Sequence, residues 1–199
     1  RMVSECETRV TFDEQPAVDA LNLWLELLKY SERAVTDSAD AFQNGMVATK
    51  VSGPWELTGF RRNYPDLNFG VALIPKKTED DIHASNIGGE NLVIYKSAQN
   101  PEVAWDLIKF MTYIPQNAVT CAEVTGNFPV VLAAAQDPRY QEDEALRVFL
   151  KQMETAQSRP RITTWLKIND EVIGEALDNV LFGGADAETA LQKAAARAN

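Results

Sequence analysis

Histidine, cysteine, basic charge and long apolar runs are what this chain has least of. A single histidine, His83, and no GxSxG motif leave little room for a Ser-His-Asp site. Neither a GxxxxGK[ST] loop nor a GxGxxG fingerprint occurs, so nucleotide binding by those devices has no support. The two thiols, Cys6 and Cys121, make neither a disulfide framework nor a metal-ligand set. A bridge between them would need Cα atoms within about 7 Å, and the alternative is two unreactive small residues. Asp80 and Asp81 beside His83 offer a weak surface cation site at most, so no metal and no cofactor is expected. No apolar run reaches the ~20 residues that span a bilayer. The opening Arg1-Met2-Val3-Ser4-Glu5 has no apolar signal-peptide core, which says nothing of the compartment if the start has been trimmed. Lys and Arg number 19 against 29 Asp and Glu, a formal net charge of -10. That balance repels phosphate backbones, and no basic stripe with interleaved aromatics offsets it, so no nucleic acid is expected as a partner. The acidic excess reads as a solubilising surface that would dock on basic partners.

What is present suits one ordinary domain or two small ones, with 199 residues and an apolar share of 45%. The stretch AFQNGMVATKVSGPW, residues 41–55, organises the rest. Residues 37–42 suit one or two helical turns, with Asp37 as cap and Gly45 as the end. Residues 46–51 read as a short buried strand stopped by Ser52-Gly53-Pro54, because proline cannot continue a sheet ladder. Trp55 then falls just past a strand end, where loops of α/β folds carry ligand contacts. A core Trp following a tight turn is the other reading of the same residues.

Elsewhere helical periodicity dominates. Asp13 and Pro16 mark a helix entry, and Ala17, Ala20, Leu21, Trp24, Leu25, Leu27 and Leu28 follow on a wide apolar face, Trp24 as core packing. Residues 32–40 are a polar connection, and residues 56–62 are helical with an exit at Tyr64-Pro65. Short strands are expected at 69–74 and 92–95, separated by the charged loop 76–83. Gly88 and Gly89 allow close backbone approach by another group, or simply a turn. Asn100 and Pro101 open a helix that buries Val103, Ala104, Leu107, Ile108 and Met111; Pro115 begins another, closed by TGNFP. The last third is helical at 142–155, 165–182 and 186–197, with breaks at 158–161 and at Gly183-Gly184 and with Asp186 as the final cap. Carboxylates are plentiful, so composition leaves a paired-carboxylate glycosidase open. None sits in a context that raises its pKa for acid catalysis, so the chain reads as a non-enzyme.

The order of these motifs is distinctive: AFQNGMVATKVSGPW, a segment ending LIP, GGENLVIYKSAQNPEVAWDLIKFM, TGNFPV, and a terminal helix pair. It resembles the extracellular solute-binding proteins of ABC importers, in the sugar-binding group similar to maltose-binding protein. The resemblance runs from about Val10 to the C-terminus and covers only the C-terminal half of such a protein. It implies an α/β, type II periplasmic-binding-protein-like, two-lobe fold, here helix-rich with short strands. Residues 1–84 would belong to the C-terminal lobe, 85–134 would cross to the N-terminal lobe, and 135–199 would return. The chain is therefore expected to be a fragment whose partners include the missing N-terminal half. With sheet edges and apolar helix faces exposed, it could form a homodimer by swapping. The implied function is capture of a carbohydrate between the lobes and delivery to ABC transporter permease subunits. The setting would be periplasmic or extracellular, on a signal or lipoprotein anchor that this chain does not carry. Sugars offer apolar C–H faces for stacking and hydroxyls for aimed hydrogen bonds. The resemblance makes Trp55 the stacking platform and brings Gly88, Gly89 and Glu90 to the cleft. Glu90 stands where many relatives carry an aromatic, which favours hydroxyl hydrogen bonding or a cationic group. Arg161 and Trp165, near the last crossing, would face the ligand or would be a solvated Arg and a packed Trp. A carbohydrate-cleaving domain and a ligand-free interaction module are the alternatives.

Overall fold

Pro16 is accepted in a first helical turn whose N–H groups have no intrahelical partner, and Val18 and Leu21 then fall on one face. The helix they make, α1 (Gln15–Leu28), opens the computed structural model, which describes residues 2–4, 6, 8–31 and 38–199. In chain order there follow α2 (Trp55–Asn63), β1 (Ser85–Ile87), α3 (Pro101–Thr112), α4 (Pro115–Thr125) and α5 (Leu132–Ala135). Next come α6 (Pro138–Glu142), α7 (Glu144–Met153) and β2 (Ala156–Ser158). The chain closes with α8 (Trp165–Lys167), a π-helical turn at Ile168–Ile173, α9 (Gly174–Leu181) and α10 (Ala187–Ala198). Two compact units result: Arg1–Ala41 with Arg159–Asn199, and Phe42–Ser158.

The first unit has the larger core. Phe12, Val18 and Leu21 pack with Trp165, Ile168, Val172, Val180 and Leu191, and Val3 pairs with Val10 in an antiparallel bridge. The helix expected over 165–182 is continuous, with a π turn in its middle that directs Ile168, Val172 and Ile173 inward. Gly184, at φ +71°, follows its end. Asp186 caps α10 as expected, its Oδ1 accepting the Thr189 N–H at 2.8 Å. That bond holds the Asp186 carboxyl below the usual carboxylate range. Two expectations for α1 are corrected. The residue preceding the helix is Glu14 rather than Asp13, with no side-chain cap bond, and Trp24 is 53% exposed rather than in the core. The apolar face of α1 is wider than the core it meets, so Leu23, Trp24 and Leu27 remain outside.

The second unit buries less. Ala118, Val119, Ala122, Ala134 and Tyr140 form its core, with Phe128, Val131, Leu146 and Leu150 packed against them. A second contact group joins Phe42, Phe60 and Phe69, with ring centroids 5.5–6.4 Å apart. β1 and β2 pair in parallel, Ser85 opposite Ala156 and Ile87 opposite Ser158. Beside them Gln152 ties three chain segments: its Oε1 accepts the Ile74 N–H at 2.9 Å and its Nε2 donates to the His83 carbonyl at 2.6 Å. The Thr155 hydroxyl donates to the same carbonyl at 2.6 Å, and the His83 Nδ1–H donates to the Ile74 carbonyl at 2.6 Å.

Several expectations for this unit are corrected. Residues 46–51, 69–74 and 92–95 are not strands: a strand needs a neighbour to bond, and among the described residues none runs beside them. Residues 38–45 form turns rather than a helix, and Gly45 ends them at φ +69°. Asp37, the expected cap, and residues 32–36 of the polar connection lie outside the described residues. α3 begins after Asn100 as expected, but Asn100 makes no cap bond and no residue of α3 is buried. Val103, Leu107 and Phe110 are each more than half exposed, because no described layer covers them. α7 starts at Glu144, since Asp143 caps it by accepting the Leu146 N–H at 3.1 Å. Among the described residues, no helix is long and apolar enough to cross a membrane.

Candidate ligand-binding site

Trp55 begins α2, and the helix is held from below: Leu57 and Phe60 are buried, while the indole is 57% exposed. Burying Leu57 and Phe60 contributes roughly 1.5–3 kcal/mol each. Lys50 secures the first turn by pairing with Glu56 Oε1 at 2.6 Å and lying 5.9 Å from the Phe60 ring centroid. The Trp55 ring lies over Gly53, in the volume a β-carbon there would need. Glycine is thus a steric requirement for this indole orientation.

The Trp55 backbone rests on the end of another helix. α4 closes at Gly126, φ +72°, and the Asn127 N–H returns to the Ala122 carbonyl at 3.0 Å, the cap that a left-handed glycine permits. A β-carbon on Gly126 would fall 2.7 Å from the Trp55 Cα and 2.9 Å from its carbonyl oxygen. The next residue, Asn127, donates from Nδ2 to Glu90 Oε2 at 3.1 Å. One helix end therefore touches Trp55 with its glycine and Glu90 with its asparagine. Gly88, Gly89 and Glu90 are all exposed, on the segment just after β1.

Trp55, Gly88, Gly89 and Glu90 thus belong to one unit, and Trp55 and Glu90 each touch the C-terminus of α4, while nothing lies within 4 Å of the place a β-carbon on Gly89 would take. Arg161 and Trp165 belong to the other. Arg161 is exposed there, and Trp165 is 9% exposed, packed in that unit's core. Cys6 and Cys121 are free thiols. Sequence reasoning did not single out Gly53, Gly126 or Asn127, although two of its motifs contain them; a glycine two residues before an aromatic and a Gly-Asn helix end were the available signals. A groove of ≈ 460 Å³ in the first unit is lined by α9 and α10 residues, including Glu175, Lys193 and Arg197. Arg197 and Glu175 already pair across it at 2.7 Å, and it holds none of the residues above, so it is not the candidate.

The sequence profile of the bacterial extracellular solute-binding proteins matches residues 7–148, and the chain belongs to that family. A galactooligosaccharide-binding protein of Bacillus subtilis is 29% identical over 164 residues, covering 82% of this chain and 38% of that protein. A maltooligosaccharide ABC transporter solute-binding lipoprotein of Streptococcus pneumoniae is 27% identical, covering 86% of this chain and 40% of its own. Among solved structures, an ABC transporter solute-binding protein of Thermotoga lettingae bound to α-D-tagatose superposes with a TM-score of 0.85 at 27% identity, covering all of this chain and 52% of that one. The sugar-binding protein MalE of Xanthomonas citri superposes at 0.79 and 24% identity, covering 99% and 51%. The fold is accordingly that of type II periplasmic binding proteins, and the chain spans about two fifths of those curated relatives and half of those solved chains.

Proposed function

We propose that this chain is part of the substrate-binding component of an ABC transporter, capturing a carbohydrate between two lobes for a membrane permease. One observation carries the reading: an exposed indole lies over Gly53, and its backbone rests on the helix end that also holds Glu90. A rigid apolar plane beside an aimed carboxylate suits a pyranose, which needs both a stacking surface and hydroxyl acceptors. Trp55 is the platform, Glu90 accepts hydroxyls, and Gly88 and Gly89 let backbone groups come close. Arg161 is the first unit's exposed polar candidate, and Trp165 is the packed indole that anchors its segment. Residues 1–84 and 135–199 would serve one lobe and 85–134 the other, the protein working outside the cytoplasm on an anchor. The related proteins are named for oligosaccharide binding and for ABC transport, and none of those cited is named as an enzyme. In isolation this chain would pair with a second copy through uncovered apolar faces such as that of α3.

Titration of the full-length protein with an oligosaccharide panel should change its Trp fluorescence, and Trp55→Ala should abolish the change. No response to any sugar would sink the reading, and sugars cleaved during the incubation would replace it with an enzyme.

A further inference from the structure

We infer that the Trp55–Glu90 site sorts saccharides by charge, accepting neutral and amino sugars and disfavouring acidic ones such as uronic-acid saccharides. The inference rests on the carbohydrate-binding reading above. Its basis is how Glu90 is held. Several other carboxylates of the second unit meet cations: Glu56 meets Lys50, Asp143 meets Arg61, and Glu123 meets Arg139. Glu90 instead receives a neutral amide, the Asn127 Nδ2 at 3.1 Å on Oε2 alone. Among the described residues no lysine or arginine is paired with it. The amide fixes the carboxylate without cancelling its charge and leaves Oε1 open.

Lys50, the cation nearest in sequence to Trp55, is already engaged by Glu56 at 2.6 Å. The Glu90 carboxylate and the Trp55 backbone are thus held by successive residues of one helix end, with no cation paired to that carboxylate among the described residues. A sugar hydroxyl or ammonium donates to it, while a uronate meets a like charge. Two unit charges about 5 Å apart in water-like surroundings change affinity about fourfold, and more once a bound ligand excludes solvent. The net charge of -10 acts in the same direction by slowing the approach of anions.

The test uses the full-length protein and disaccharides of glucose and galactose, each with its amino and uronic counterpart, at pH 7 and low salt. Neutral and amino forms should bind, with the uronic forms at least about fourfold weaker. Glu90→Gln, which keeps an acceptor for Asn127 and nearly the same shape, should bring uronic and neutral affinities together and weaken the amino form relative to the neutral one. Thermal unfolding confirms that the variant is folded. Uronic forms binding within twofold of neutral ones, or an unchanged ratio in Glu90→Gln, would overturn charge sorting. The carbohydrate reading would then still stand if Trp55→Ala removes binding. Absence of binding to every sugar would overturn both.

Discussion

Replacing Gly126 by alanine tests whether the end of α4 sets the position of Trp55. Two costs are expected, and a second glycine separates them. Gly45 has nearly the same conformation, φ +69° against +72°, but nothing lies within 4 Å of the place where its β-carbon would go. Gly45→Ala therefore carries only the left-handed penalty, about 1–2 kcal/mol. Gly126→Ala carries that penalty and a collision, its β-carbon 2.7 Å from the Trp55 Cα. Backbone cannot swing aside as a flexible side chain does, and Trp55 is held by α2, whose Leu57 and Phe60 are buried. Relieving the overlap means moving the start of α2, an overpacking cost of about 1–3 kcal/mol. Urea unfolding followed by circular dichroism should thus show Gly126→Ala less stable than Gly45→Ala by at least about 1 kcal/mol. Sugar titration should show weakened binding in the first variant only. Equal losses in both, with binding untouched, would refute the claim that this helix end carries the indole.

Asp143 and Asp186 both have carboxyls held below their usual range, Asp143 chiefly by the Arg61 guanidinium and Asp186 by the Thr189 N–H. A folded-state value below the unfolded one gives stability that is complete above about pH 4 and is lost as pH falls through the folded value. Asp143→Asn keeps an acceptor for Leu146 but loses the charge, so it should cost about 0.5–1 kcal/mol at neutral pH. That cost should shrink toward zero in acid, and urea midpoints at pH 7 and pH 3 decide it; a cost independent of pH would count against the ion pair. Leu107→Lys on the uncovered face of α3 should reduce self-association of the 199-residue chain in light scattering and change stability by less than about 0.5 kcal/mol. An unchanged mass distribution would show that α3 is not the contact.

Helices were legible where local signals and packing agree. Pro16, Pro101 and Pro115 mark first turns, Gly126 and Gly184 sit at or just beyond helix ends, and Asp186 caps the last helix as its spacing implied. Strands were not. The apolar runs at 69–74 and 92–95 carry strand propensity, but a ladder is a property of two segments, and the two-stranded ladder among the described residues joins Ser85–Ile87 to the polar Ala156–Ser158. Burial on helix faces failed for a related reason: periodicity shows which face is apolar, and Trp24 and Leu107 show that nothing in the pattern says what covers it. At the site, Trp55 and Glu90 could be singled out as residues, but their common support at Gly126 and Asn127 is a long-range contact that no local spacing encodes.

The tie at Gln152 has a bearing on how the protein is made. Its bonds to Ile74 and His83 span 78 and 69 positions along the chain, and that of Thr155 to His83 spans 72. Contacts of such separation form slowly, because a long loop must be closed before any bond rewards it. A ribosome emitting this polypeptide will have exposed β1 well before its mate is translated, leaving that edge open to adventitious pairing in the interval. Only when residue 158 has emerged can β1 meet β2 and close that edge.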